Sequence, residues 1–171
     1  MTARAFEELR LTGYFPGVVG KITELHAVYY SEHWGFDITF EAQVARELSL
    51  FLSNFQTDRD GFWVALLQGR FAGAIAIDGT LGTSEGARLR WFIVEPRFHG
   101  NGVGRELIRS AVEFCRNAGY HKVFLWTFRG LDAARKLYEQ AGFTVTEESE
   151  VDQWGSRIVE QKFEMTLDAA S

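Results

Sequence analysis

The feature that most constrains this chain is the stretch Val94-Glu95-Pro96-Arg97-Phe98-His99-Gly100-Asn101-Gly102-Val103-Gly104-Arg105-Glu106-Leu107-Ile108. The apolar run Leu89 to Val94 stops at Pro96, glycines follow at 100, 102 and 104, and a helical spacing of apolar residues begins. A strand therefore feeds a loop that opens a helix. Glycines leave backbone N–H groups uncovered, and at the positive end of a helix such donors suit a phosphate or pyrophosphate. A turn whose glycines serve only tight packing is the alternative, and the loop alone leaves both open. Two familiar nucleotide loops are excluded. A Walker A loop needs Gly-Lys followed by Ser or Thr, and none occurs here. G-x-G-x-x-G begun at Gly100 or Gly102 needs a glycine where Arg105 or Leu107 stands.

Around this unit the periodicity sets out one α/β (α+β) domain spanning residues 1–171. Leu9 to Thr12 reads as a short strand and Val18 to about Tyr30 as a helix, broken over Ser31 to Asp37 with Gly35 as hinge. Thr39 is expected to cap a second helix, with Glu41 in its first turn and Phe40, Val44, Leu48, Phe51 and Leu52 as its apolar stripe. Phe62 to Gln68 and Phe71 to Asp78 are strands about a Gly69-Arg70 turn, and Leu81 to Ala87 is a surface loop. In the strand Arg88 to Val94, alternation puts Leu89, Trp91 and Ile93 on one face, Phe92 and Val94 on the other. A helix from about Gly102 to Ala118, ended by Gly119, leads to a strand at Lys122 to Phe128, which implies a parallel crossover. Leu131 to Ala141 is a short helix stopped by Gly142. Phe143 to Glu148 and Arg157 to Leu167 are strands, with Trp154-Gly155-Ser156 between them, and the tail Asp168 to Ser171 should fray. The order is β-α-α-β-β-β-α-β-α-β-β, a mixed central sheet with helices on both faces.

Two motifs together resemble the GNAT N-acetyltransferases. His99-Gly100-Asn101-Gly102-Val103-Gly104 is similar to the family's acyl-coenzyme A loop, Gln/Arg-x-x-Gly-x-Gly/Ala. Ala134-Arg135-Lys136-Leu137-Tyr138-Glu139-Gln140-Ala141-Gly142-Phe143 is similar to its second signature, a helix ending in Leu-Tyr followed shortly by Gly-Phe. The likeness covers about Arg88 to Val145. More narrowly, Leu89 to Val94 and Phe124 to Ala134 look like the acetyltransferase half of bacterial proteins that fuse a MarR-type DNA-binding domain to a GNAT domain; no such DNA-binding domain is expected here.

The resemblance implies the GNAT acyl-CoA N-acyltransferase fold and acetyl transfer from acetyl-coenzyme A to the amine of an unidentified acceptor, expected to be a small molecule. Phe92, Ile93 and Val94 would pair with the pantetheine arm, and the Val94 amide would polarise the thioester carbonyl. The N–H groups of Gly100, Asn101, Gly102, Val103, Gly104 and Arg105 would hold the pyrophosphate, with His99 approaching phosphate where the family prefers Gln or Arg. Tyr138 would donate a proton to the leaving thiolate, since a phenol of pKa ~10 can serve a thiolate of ~8.5. Two departures stand out. Trp126 holds a position where an acidic base is common, and Leu131 holds one where asparagine is frequent. They keep a rival alive, a non-catalytic acyl-coenzyme A sensor or interaction domain. Glu32, His33 and Glu85 are the conceivable bases. Tyr29, Tyr30, Trp34, Phe36, Trp126 and Phe128 form a candidate aromatic acceptor pocket, and Tyr29, Trp126 and Phe128 serve equally as ordinary core.

Charge and cysteine usage narrow the partners. A net charge of −5 with no basic run argues against a nucleic-acid surface. Cys115 is the single cysteine and sits at core spacing, so it reads as a buried thiol with no internal disulfide and no cysteine metal cluster. The four histidines lack ligand spacing, so no metal is expected. No signal peptide or membrane-length apolar run is read, and a soluble cytoplasmic protein is expected. A homodimer is common in the family.

Overall fold

A computed structural model describes residues 8–82 and 84–167. The expectation for the tail from residue 168 onward lies outside the described residues. The elements are β1 (Leu9–Thr12), α1 (Val18–Trp34), α2 (Ile38–Ser53), β2 (Gly61–Leu67), β3 (Arg70–Asp78), β4 (Ala87–Val94), α3 (Val103–Asn117), β5 (Lys122–Phe128), α4 (Asp132–Ala141), β6 (Thr144–Gln153) and β7 (Ser156–Thr166), with a single 3-10 turn at Pro96–Phe98. The seven strands form one mixed sheet in the order β1-β2-β3-β4-β5-β7-β6, and β4–β5 is its parallel pair among the described residues.

Two layers of helix bury the two faces. On one side α3 and α4 close over Ile75, Ile77, Leu89, Leu125 and Phe163 through Leu107, Ala111, Cys115 and Tyr138. On the other, Ile22 of α1 with Leu48 and Phe51 of α2 covers Val64, Ala74 and Ala76. Each fully buried large apolar side chain contributes about 1.5–3 kcal/mol, which ties both helix pairs to the sheet. Cys115 is buried as expected, and burial pushes its thiol up to about 12.

Four local expectations are corrected. Helix α1 runs to Trp34, because Trp34 packs its ring on Tyr30 and Phe128 and Gly35 supplies the left-handed cap at φ 70°. Asp37, not Thr39, caps α2: its carboxylate accepts from the Thr39 N–H at 3.0 Å. The β2–β3 hairpin turns at Gln68-Gly69, both at positive φ (52° and 76°), one residue earlier than expected. Strand β6 extends to Gln153 and joins β7 by a tight turn at Trp154-Gly155.

The largest correction concerns β4. Ala74 pairs with Ile93 but Ala76 pairs with Arg90, so Trp91 and Phe92 together face Ile75. Trp91 adopts φ 48° there, a left-handed conformation costly for a bulky residue. This bulge breaks the expected alternation. Leu89, Phe92 and Val94 share the α3–α4 face, whereas Trp91 packs on Phe51 of α2.

Candidate functional site

The bulge has a consequence for β5. The parallel pair β4–β5 is registered only at Ala87–Val123 and Arg88–Phe124, so beyond Arg88 the two strands diverge. The Glu95 N–H donates to Ala72 O at 2.8 Å, which makes Gly73–Val94 a pair without mutual hydrogen bonds. The N–H and C=O of Val94 therefore turn away from β3, into the gap. By the same alternation Phe92 faces the gap too, while the main chain of Ile93 is engaged with β3. An unpaired strand edge facing a gap is what an extended ligand needs in order to add as a strand.

The loop after β4 leads this edge to the start of α3. Gly100 and Gly102 stand at φ 84° and 79°, and a Cβ at either would meet nothing within 4 Å, so both flank open space. Gly102 caps α3 without a side-chain hydrogen bond, so the first-turn amides of Val103, Gly104 and Arg105 are left to an incoming acceptor. Gly104 differs: a Cβ there would meet Leu137 at 2.8 Å and Phe92 at 3.2 Å, so its smallness lets α3 press on α4 and β4.

These parts line one cleft of about 690 Å³. Phe92, Ile93, Val94, His99, Gly100, Gly102, Val103, Gly104 and Arg105 all border it; Asn101 does not, and its side-chain amide donates back to Phe98 O at 3.1 Å. His99 borders the cleft in an unexpected way. Its Nε2 donates to the Val94 carbonyl at 3.1 Å, holding the end of β4 rather than reaching outward. Free backbone donors, an open glycine turn and a strand edge that faces a gap with its Val94 N–H turned outward fit a long ligand with a diphosphate at one end.

A second cavity of about 440 Å³ lies on the α1–α2 face. It shares Tyr30, Phe92, Leu131 and Ala134 with the first, so the two meet where β4 and β5 part. Tyr138 lines this second cavity from the last turn of α4. Gly142, at φ 112°, reverses the chain, and the N–H groups of Gly142 and Phe143 both donate to Tyr138 O. Phe92, Phe143 and Phe163 hold the Tyr138 ring at 5.8–6.0 Å between centroids. Burial raises the Tyr138 phenol well above its ordinary value, with Tyr30 adding to the effect. Tyr138 is thus a protonated donor at neutral pH.

The other expected acceptor residues divide. Tyr29 and Tyr30 line the first cleft, Tyr30 and Trp126 the second. Burial raises the Tyr30 phenol as well. Glu32, His33 and Trp34 line neither cavity: Glu32 and His33 are exposed on α1, and Trp34 is packed on Phe128 beside Gly130. Glu85 is exposed in its loop and lines neither. Phe36 belongs to a buried aromatic cluster with Phe40 and Phe128.

The second cavity holds charged groups that sequence reading did not single out. Arg88, Arg90, Glu47 and Glu160 all border it. Arg90 binds Glu47 at 2.6 Å and Asp78 at 3.5 Å, and stacks 4.2 Å over Trp91. Glu160 takes part in no ion pair or side-chain hydrogen bond among the described residues. The available signal was an arginine pair inside an otherwise apolar central strand, and a glutamate alternating with the core positions of β7. His26 also borders this cavity; burial lowers it to about 4, against the bond from its Nδ1 to Ile22 O at 2.8 Å. Among the described residues no set of three His, Cys, Asp or Glu converges for a metal, and no helix is long and apolar enough to cross a membrane.

Comparison with known proteins agrees with this geometry. A family model described as the acetyltransferase (GNAT) family matches residues 21–143. An uncharacterized N-acetyltransferase of Methanocaldococcus jannaschii is 29% identical over 138 residues, 78% of this chain and 60% of that protein. The N-acetylaspartate synthetase of Danio rerio is 37% identical over 89 residues, 52% of this chain and 31% of that protein. The chain thus matches 60% and 31% of the lengths of these two curated relatives, less than two thirds of either. Among solved structures, the Salmonella typhimurium protein YncA with its cofactor acetyl-CoA superposes with a TM-score of 0.72 at 18% identity, covering 95% of this chain and 96% of that one.

Proposed function

Because the chain belongs to the GNAT acetyltransferase family, we propose that it is an N-acetyltransferase that moves the acetyl group of acetyl-coenzyme A to the amine of a small molecule. The observation that carries this reading is the meeting of the two cavities in the gap between β4 and β5, with the Val94 main chain on one side and Tyr138 on the other.

Bound acetyl-coenzyme A supplies an activated acetyl group, whose thioester carbon forms a C–N bond with the neutral amine as its C–S bond breaks. The amides of Val103, Gly104 and Arg105, with the open turn at Gly100 and Gly102, hold the diphosphate. Phe92 and Val94 align the pantetheine arm along the free edge of β4. The outward Val94 N–H stabilises the negative charge that develops on the carbonyl oxygen. Tyr138 gives its proton to the departing sulfur and is restored by the proton that the nitrogen sheds, so the exchange balances. Burial keeps the Tyr138 phenol protonated until the sulfur departs. Glu160, the carboxylate of the second cavity without a partner among the described residues, receives the proton from the incoming ammonium.

The fusion-protein likeness of Leu89 to Val94 and Phe124 to Ala134 belongs to the same reading, with residues 1–171 as one catalytic domain acting in the cytoplasm. The name of the N-acetylaspartate synthetases supports a small-molecule acceptor. Trp126 and Leu131, in place of an acidic residue and an asparagine, favour the sensor alternative. Thiol release measured over a broad amine panel separates the two. Turnover that falls by about 10²-fold or more in Tyr138→Phe, at constant coenzyme A affinity, supports the enzyme. Tight coenzyme A binding with no amine turned over supports the sensor.

A further inference from the structure

Arg88 is a charged group of the second cavity that the reaction above leaves unused. It reaches the second cavity from β4, just before the strands part. Its neighbour Arg90 is neutralised by Glu47 and Asp78, whereas the Arg88 guanidinium donates no hydrogen bond among the described residues. Its Nε is sealed from solvent with no partner among the described residues. A guanidinium in that condition is costly, since burying a charge without a partner forfeits its hydration. Burial lowers its pKa, and Arg90 adds to the effect.

Glu160 lies close enough to be felt by Arg88 but makes no ion pair with it. The cavity therefore presents a cation and an anion that do not satisfy each other. Aromatic surface surrounds them: Trp91, Trp126 and Phe128 border the same space.

We infer that the acceptor is an amine carrying a carboxylate, an amino acid with an apolar or aromatic side chain, whose carboxylate is clamped by Arg88 while its amino group faces Glu160. A guanidinium binds a carboxylate through two parallel N–H···O bonds, which fixes orientation as well as position. The zwitterion brings the two charges that the cavity lacks, and its side chain meets the aromatic wall. This identification rests on the acetyl-transfer reading for its purpose, but not for its test.

Calorimetric titration tests it on protein saturated with coenzyme A. The probes are the common L-amino acids, each set against its own α-carboxamide, which keeps the shape and removes the charge. The amino acids that bind should do so about tenfold or more tightly than their amides. That margin should vanish in Arg88→Gln and partly return in Arg88→Lys, with coenzyme A affinity constant throughout. The wild-type margin needs no variant, so a poorly folded Arg88→Gln does not spoil the test. No binding by any amino acid, equal or tighter binding of the amides, or a margin unchanged in Arg88→Gln overturns the clamp. Thiol release is read separately. A margin without turnover keeps the clamp and removes the transferase reading, whereas turnover of the amides alone keeps the transferase and removes the clamp.

Discussion

His99 holds the last carbonyl of β4: its Nε2–H donates to Val94 O across 3.1 Å. The sequence suggests a phosphate contact for His99, yet the ring secures the strand end that carries the Val94 amide. His99→Ala should therefore raise the KM for acetyl-coenzyme A by about two- to tenfold, the worth of one hydrogen bond. The melting temperature should barely move, because His99 is exposed. Steady-state kinetics beside a thermal melt checks both parts.

His26 makes the fold sensitive to acid. Burial lowers it from 6.5 to about 4, so below pH 6.5 the unfolded chain takes up a proton that the folded protein refuses. Stability is thus fully present above pH 6.5 and declines as pH falls toward 4, by roughly 3 kcal/mol. Urea unfolding at stepped pH should show that decline, and His26→Leu should flatten it.

Tyr30 and Tyr138 set the alkaline limit. Burial holds both phenols above their ordinary 10.0. Above that pH the unfolded chain loses protons that the folded state keeps, so stability falls with further increase. Tyr30→Phe and Tyr138→Phe should each reduce the slope of unfolding free energy against pH beyond about 10. A slope unchanged in both variants would show that the phenols are not desolvated.

Gly104 separates packing from anion binding within the loop. An added Cβ would press on Leu137 and Phe92, so Gly104→Ala should cost about 1–3 kcal/mol. Gly100→Ala meets open space and pays only for its backbone at φ 84°, about 1–2 kcal/mol at most, while crowding the cleft. Chemical denaturation ranks the two stabilities, and coenzyme A titration should show weaker binding in both.

The order of elements was legible because each helix and strand carries its own period and stop. Gly35, Gly119 and Gly142 end helices, and the buried Gln161, Phe163, Met165 and Leu167 mark the covered face of β7. The bulge was not legible. Leu89, Trp91 and Ile93 alternate as if on one face, and only the pairing of β4 with β3 reveals that Trp91 has crossed to the other. The cofactor side could be read from glycine spacing, since a backbone site depends on where side chains are missing. The acceptor side depends on which side chains meet across α1, α2, β4, β5 and β7. Arg88 and Glu160 are 72 positions apart and look like surface charges until the sheet puts them in one cavity. Glu32 and His33 failed to join them because the longer α1 carries them outward.

A crystal structure with coenzyme A bound would locate the cofactor relative to β4, α3 and Tyr138. The diphosphate should lie on the amides of Val103, Gly104 and Arg105, the pantetheine along Phe92 and Val94, and the sulfur within hydrogen-bond reach of the Tyr138 hydroxyl. A cofactor lying elsewhere, or a sulfur remote from Tyr138 with the gap between β4 and β5 closed, would contradict it.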